Sequence, residues 1–222
     1  MRFGVNFGYW QAQPPPNFVE VSQEAERLGF HSAWTAESWG NDAFTFAAWI
    51  AAHTTTLQVG TGIVQLSART PAAAAMHTLT IDHLSQGRFN LGLGVSGPQV
   101  VEGWYGQPFS KPLARTREYI DIIRQVLRRE APVTNAGPHY PHYPLPYSGE
   151  GAWGMGKPLK PITHPLRADV PIYLGAEGPK NVALAAELCD GWLPLWYSPY
   201  NEEVYADSLK QAKPGFDIVQ TL

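Results

Sequence analysis

The sequence predicts an α/β fold of the (β/α)8 TIM-barrel type, incomplete at about six strand-helix units plus the start of a seventh. Three observations predict it. Short apolar runs alternate along the chain with segments of helical period, the signature of parallel β-α-β units. The run LSQGRFNLGLGVSG, from Leu84 to Gly97, joins a helix end, a buried strand and a glycine loop in one stretch. Finally, complete barrels need about 250 residues, whereas this chain has 222 and spends many of them on an aperiodic stretch. A doubly wound sheet is the alternative architecture.

Met1 to Gly8 reads as the first strand. Asn17 to Leu28 is the first helix, entered after Pro14-Pro15-Pro16 and left at Gly29, with Phe18, Val21, Ala25 and Leu28 on one face. Ser32 to Ala36 forms the second strand, and Asp42 to His53 the second helix. Leu57 to Val64 is read as the third strand, after which Thr70-Pro71 opens a helix with a capping hydroxyl and proline at the first helical position. That helix runs to Leu84, where Gly87 suits a left-handed cap. Phe89, Leu91 and Leu93 then build the fourth strand, with Gly92 and Gly94 leaving room for close backbone approach.

Arg115 to Arg129 carries an apolar stripe of Tyr119, Ile122, Ile123 and Val126 and is the fourth helix. The alternation then stops. Residues 131–167 are crowded with proline, glycine, tyrosine and histidine, as in PHYPHYP at 138–144, and read as a long insertion, either a lid or binding loop or a packed excursion. Regularity returns with a fifth strand at Pro171 to Leu174 and a helix from Pro179 to about Cys189. Trp192 to Trp196 is a sixth strand weakened by Pro194. Asn201 to Gln211 is a sixth helix capped by Asn201, and Phe216 to Val219 begins a seventh strand. A barrel cut short leaves the first strand without its closing neighbour, which predicts poor solubility or dependence on a partner. The whole chain, 1–222, reads as one domain.

Sixteen basic and 19 acidic residues give a net charge of −3 with no long run of either sign, so no basic field for nucleic acid is present. No signal-like or membrane-spanning apolar run appears. Cys189 is the only cysteine, which excludes an intramolecular disulfide; it reads as a small buried hydrophobe, and a cytoplasmic setting is expected. The partner expected is a small-molecule substrate, with a homo-oligomer or a further C-terminal portion as the remaining possibilities.

Glu37, Glu102 and Glu177 each follow a predicted strand, on the rim where parallel α/β folds bind ligands. A carboxyl there with a raised pKa serves as a proton donor, although solvated loop carboxylates are commoner. Glu102 ranks first, then Glu37. Trp39, Trp104 and Tyr105 occupy the same loops, as ligand walls or as core packing. Gly175-Ala176-Glu177-Gly178-Pro179 offers backbone N–H groups and a helix N-terminus to an anion, a motif that by itself usually marks only a turn. Lys180 beside it is either an added charge or an exposed helix-start lysine. His139 and His142 have a metal-like spacing, but proline interrupts the segment and no carboxylate or cysteine set completes a site, so no metal is expected. His77 and His83, within the third helix, read as structural.

Four segments carry a family resemblance: Leu79 to Gly94, Val95 to Trp104, Ala176 to Ala185, and Asp190 to Pro194. Together, and in this order, they resemble the luciferase-like monooxygenase superfamily of flavin- and deazaflavin-dependent barrels, in particular its coenzyme F420 branch, over essentially the whole chain up to Val219. The resemblance implies a deazaflavin at the carboxyl end of the barrel that exchanges a hydride with an organic substrate. It implies a non-proline cis peptide at Gly62-Ile63, behind the ring. It also implies that Ser96 and Gly97, with Gly175, Ala176, Glu177, Gly178 and Pro179, hold the ribityl-phosphate arm. Related deazaflavin enzymes often place histidine after the acidic residue of the second loop, whereas this chain has Glu37-Ser38; Ser38 is then the residue that would hydrogen-bond the ring. Two alternatives stand beside the F420-dependent oxidoreductase: an FMN-dependent monooxygenase of the same superfamily, and a non-catalytic barrel remnant.

Overall fold

The computed structural model describes residues 1–137 and 142–221. Its described residues form eight parallel strands: β1 (Gly4–Gly8), β2 (Ser32–Thr35), β3 (Gln58–Thr61), β4 (Val64–Gln65), β5 (Phe89–Gly94), β6 (Ile172–Gly175), β7 (Gly191–Leu193) and β8 (Asp217–Ile218). Neighbours follow chain order, β1-β2-β3-β5-β6-β7-β8, with β4 pairing onto β5. Helices α1 (Phe18–Arg27), α2 (Ala43–Ala52), α3 (Pro71–Leu84), α4 (Pro98–Val101), α5 (Pro112–Arg128) and α6 (Pro179–Leu188) fill the crossovers. The sheet curls: Trp34 of β2 meets Tyr173 of β6 edge-on, ring centroids 5.3 Å apart, although two strands lie between them. At the two open edges, Arg2 pairs with Asp217 at 2.7 Å and the Asn6 amide donates to Thr221 Oγ1 at 3.0 Å. The result is an incomplete barrel wrapped by helices.

All six residues of β5 are buried, as expected of a central parallel strand covered on both faces. Phe89, Leu91 and Leu93 join Phe44, Ile50, Leu57, Tyr119, Ile122 and Trp192 in one continuous core. Local chemistry accounts for the helix ends. Asp42 caps α2 by accepting from the Thr45 N–H at 2.6 Å, and Thr70 caps α3 through Ala73 with Pro71 behind it. Gln86 and Gly87 both take left-handed backbone after α3, with φ 57° and 83°. Among the described residues, no helix is long and apolar enough to cross a membrane.

Several boundaries differ from the sequence expectation. The third strand is not continuous: it breaks at Gly62-Ile63, and Val64-Gln65 resumes one position across, on Leu93 and Gly94 of β5. The sixth strand stops at Leu193, because Pro194 has no N–H to give the ladder. Asn201 does not cap a helix; it sits with φ −132° inside a 3-10 segment, Pro199–Tyr205, whose start is capped by Ser198. Helix α5 begins earlier than expected, with Pro112 in its first turn, and the short α4 was not foreseen.

The insertion is pinned to the barrel. Antiparallel bridges join Val133 to Leu159 and Asn135 to Leu145. The Glu118 carboxylate of α5 accepts from the N–H groups of His142 and Tyr143 and from the Asn135 amide, and Arg167 pairs with the buried Asp82 at 2.7 Å. His139 lies outside the described residues, so the His139/His142 pair has only His142 in view.

Glu26 of α1 fastens the turn that leads into β3. Its Oε1 accepts the backbone N–H groups of Thr55, Thr56 and Leu57 at 2.8, 2.5 and 2.8 Å. Burial opposes its ionisation, but the N–H groups outweigh that and hold its pKa at about 2, below the ordinary 4.5. A folded-state pKa below the unfolded one contributes stability that is full above pH 4.5 and is lost as pH falls towards 2. Wild type is therefore expected to exceed Glu26→Gln in urea midpoint at pH 6, with the gap narrowing between pH 4.5 and 2.5. A gap independent of pH would contradict this.

Candidate functional site

The carboxyl ends of β2, β4, β5 and β6 open onto one side of the sheet, and the loops that follow them supply the residues singled out from the sequence. Glu37, just after β2, is not on the open rim. Its side chain is only 2% exposed and forms a two-pronged ion pair with Arg69, Nη1 to Oε1 at 2.9 Å and Nη2 to Oε2 at 3.0 Å. The same oxygens accept the N–H groups of Gln65 at 2.8 Å and Ala43 at 3.2 Å. Arg69 Nη2 also donates to Asp42 at 2.8 Å, and the guanidinium lies 5.0 Å above the Phe44 ring. Burial of Asp42 opposes its charge, yet its bonds from Thr45, followed by the field of Arg69, keep its carboxyl below the usual range. Burial likewise works against the Arg69 cation, but Glu37 and Asp42 raise its pKa further. The group is a charged strut between the loop after β2, the start of α2 and the segment before α3.

Glu102 and Glu177 are exposed. Glu102 Oε1 accepts from the Phe109 N–H at 3.3 Å, and Glu177 Oε1 from the Leu195 N–H at 2.6 Å. The three carboxylates therefore occupy different environments, one dry and fully bonded, two wet.

The Gly62-Ile63 peptide is cis. The Gly62 N–H donates to the Thr35 carbonyl at 2.6 Å, and the Ile63 carbonyl accepts from Glu37 at 3.2 Å, which ties this bend to the charged strut. The Ile63 side chain lies across the ends of β5 and β6. A Cβ on Gly94 would come within 2.7 Å of Ile63 Cδ1, and one on Gly175 within 3.0 Å of Cγ2. Glycine at both positions lets Ile63 lie down as an apolar shelf. On one side of it Ser96 turns with φ 59° and Gly97 caps α4; on the other, Gly175, Ala176, Glu177 and Gly178 lead to Pro179 at the start of α6. Among the described residues, a Cβ at Gly178 would meet nothing within 4 Å, and Asn181 Oδ1, at the same helix start, is buried with no hydrogen-bond partner. An open backbone cradle, a helix N-terminus and an apolar shelf fit a phosphorylated ring cofactor such as a deazaflavin.

A second node joins the loops after β2 and β5. The Gln65 amide donates to the Ser38 carbonyl at 2.6 Å and lies 3.5 Å from the Tyr105 hydroxyl, which itself donates to the Ser38 carbonyl at 3.4 Å. Ser38 precedes Trp39 and Tyr105 follows Trp104, and these two tryptophans face a cleft of about 320 Å³ that Gln99, Val100 and Gly103 complete. Arg69 and Gln65 were not singled out from sequence. One signal was available for Arg69: it is the single Asp, Glu, Lys or Arg between Leu57 and Ile81. Gln65 carried none.

The model of the luciferase-like monooxygenase family matches residues 1–218. A Mycobacterium tuberculosis protein named as a candidate coenzyme F420-dependent oxidoreductase is 64% identical over 217 residues, covering 97% of this chain and 62% of that protein. A 5,10-methylenetetrahydromethanopterin reductase of Archaeoglobus fulgidus is 32% identical over 215 residues, covering 94% and 57%. Among solved structures, the coenzyme F420-dependent tetrahydromethanopterin reductase of Methanopyrus kandleri superposes with a TM-score of 0.78 at 22% identity, over 99% of this chain and 65% of that one. The chain thus spans less than two thirds of the length of these curated relatives.

Proposed function

The chain belongs to the luciferase-like monooxygenase family, and from that premise we propose that it binds coenzyme F420 and serves hydride transfer between the deazaflavin and an organic substrate. The observation that carries this reading is the Ile63 shelf on Gly94 and Gly175, flanked by two backbone-lined loops. Ile63 would support the ring, and the backbone of Ser96, Gly97 and the segment Gly175 to Pro179 would hold its phosphate arm. When bound, the deazaflavin supplies the carbon that takes up or gives away hydride. The chain's own work is to bind, orient and handle protons. Ser38 is assigned to a hydrogen bond with the ring edge. Glu102, exposed next to the cleft, is assigned as the proton donor to substrate. Glu37, with both oxygens already bonded, holds Ser38 and Ile63 in place.

Titration of the 222-residue chain with F420 and with FMN tests the reading. F420 is expected to bind one-to-one and FMN to bind at least tenfold more weakly. Gly94→Val is expected to abolish F420 binding, since the new side chain must displace Ile63, whose Cδ1 and Cγ1 lie 2.7 and 2.8 Å from the added Cβ, at a cost in stability of about 1–3 kcal/mol for overpacking a buried position. Tight retention of FMN with oxygen consumption would instead assign the flavin monooxygenase chemistry. Failure to bind either ring would mark a non-catalytic barrel.

A further inference from the structure

Two large, solvent-exposed aromatic side chains line the cleft: Trp39 is 60% exposed and Trp104 is 62% exposed. They come from different loops, after β2 and after β5, and both face the same cavity. The remaining lining, Gln99, Val100 and Gly103, contains no charged group. The volume, about 320 Å³, lies at the small end of the ligand-pocket range of about 300–1,000 Å³. The two walls are tied together, because the buried Gln65 amide and the hydroxyl of Tyr105, next to Trp104, converge on the carbonyl of Ser38, next to Trp39.

We propose that the Trp39–Trp104 cleft is the substrate subsite and that it takes an uncharged, flat organic compound, held by its faces against indole and by one polar contact from Gln99. Stacking and apolar burial supply the affinity, which a neutral conjugated ring system receives in full. A carboxylate or phosphate would lose its hydration with no cation in the lining to replace it. The proposal rests on the F420 reading only in calling the ligand the substrate.

The test is calorimetric titration of the 222-residue chain, without cofactor, with three probes: 2-acetylnaphthalene (flat, neutral), 2-naphthoate (flat, anionic) and cyclohexyl methyl ketone (neutral, not flat). 2-Acetylnaphthalene is expected to bind at least tenfold more tightly than either of the others. Trp39→Ala and Trp104→Ala are each expected to weaken it tenfold or more, while Trp39→Phe retains most of the binding. Both tryptophans are exposed, so thermal midpoints should stay within about 2 °C of wild type. F420 affinity, measured separately, should be the same in these variants. Equal binding of the naphthoate, no binding of 2-acetylnaphthalene, indifference to both tryptophan replacements, or displacement of the probe by F420 would each overturn the proposal. If the probe binds as described and F420 does not bind at all, the subsite stands and the cofactor reading fails.

Discussion

Gly92→Ala is expected to lower the unfolding free energy by about 3 kcal/mol, the upper end of the ordinary range for overpacking a core. A Cβ on Gly92 would lie 1.7 Å from the Thr61 carbonyl oxygen and 2.8 Å from Leu193 Cδ1. The first of these is backbone and cannot rotate away, so β3 and β5 must part. Their parting breaks a reciprocal pair of bonds: the Gly92 N–H donates to Thr61 Oγ1 at 2.9 Å, and that hydroxyl donates to the Gly92 carbonyl at 2.9 Å. Thr61 is fully buried, so its hydroxyl then has no water to turn to. Urea unfolding followed by circular dichroism measures the loss. Gly94→Val, two residues along the same strand, is the control, because there the obstacle is the movable side chain of Ile63. A loss below about 1 kcal/mol in Gly92→Ala would show that the sheet absorbs the methyl by local shear.

Features legible in the sequence are those decided within a few neighbouring residues. Asp42 and Thr70-Pro71 announce their helices because a cap and its target N–H are three residues apart. Strand β5 is legible because Phe89, Leu91 and Leu93 recur at every second position, with Gly92 and Gly94 following the two leucines, and Gly87 because a left-handed turn favours glycine. The order of the strands follows from the alternation itself, since parallel neighbours need crossovers. What was illegible depends on distant partners. The split of the third strand follows from how Val64 and Gln65 engage β5, nearly thirty residues later in the chain. Arg69 and Glu37 are 32 positions apart, and nothing local reveals that the loop after β2 turns inward to meet a guanidinium. Glu37 therefore looked like its rim neighbours Glu102 and Glu177, although the fold gives it a dry environment and leaves them wet. The candidate tryptophans were readable as residues of neighbouring loops. That they face one cavity depends on the curl of the sheet and on Gln65.

Removing Arg69 tests how far the site depends on that strut. Arg69→Ala is expected to cost about 3–5 kcal/mol of stability, because it leaves the Glu37 carboxylate buried without a counter-charge. Arg69→Lys is expected to recover only part of this, since one ammonium cannot reproduce the two-pronged bond to Glu37 and also reach Asp42. Glu37→Gln should be milder than Arg69→Ala: Arg69 keeps Asp42, and the neutral amide oxygen can still accept one of the N–H groups of Gln65 and Ala43. The pair is a linked unit, so in Arg69→Met/Glu37→Met the combined loss should be smaller than the sum of the single losses. It should not vanish, because the N–H groups of Gln65 and Ala43 remain inside the protein without an acceptor. Urea titrations of wild type, Arg69→Met, Glu37→Met and the double variant give the coupling energy directly; strict additivity would mean that the ion pair contributes nothing beyond its parts. The same variants reach the ligand sites through two short paths, Glu37 to the Ile63 carbonyl and Gln65 to the Ser38 carbonyl. Binding of F420 and of the neutral aromatic probe should therefore both weaken in Arg69→Ala under conditions where the variant is still folded. Trp39→Ala, by contrast, should weaken the probe alone, and that difference separates a residue that frames the site from one that touches the ligand.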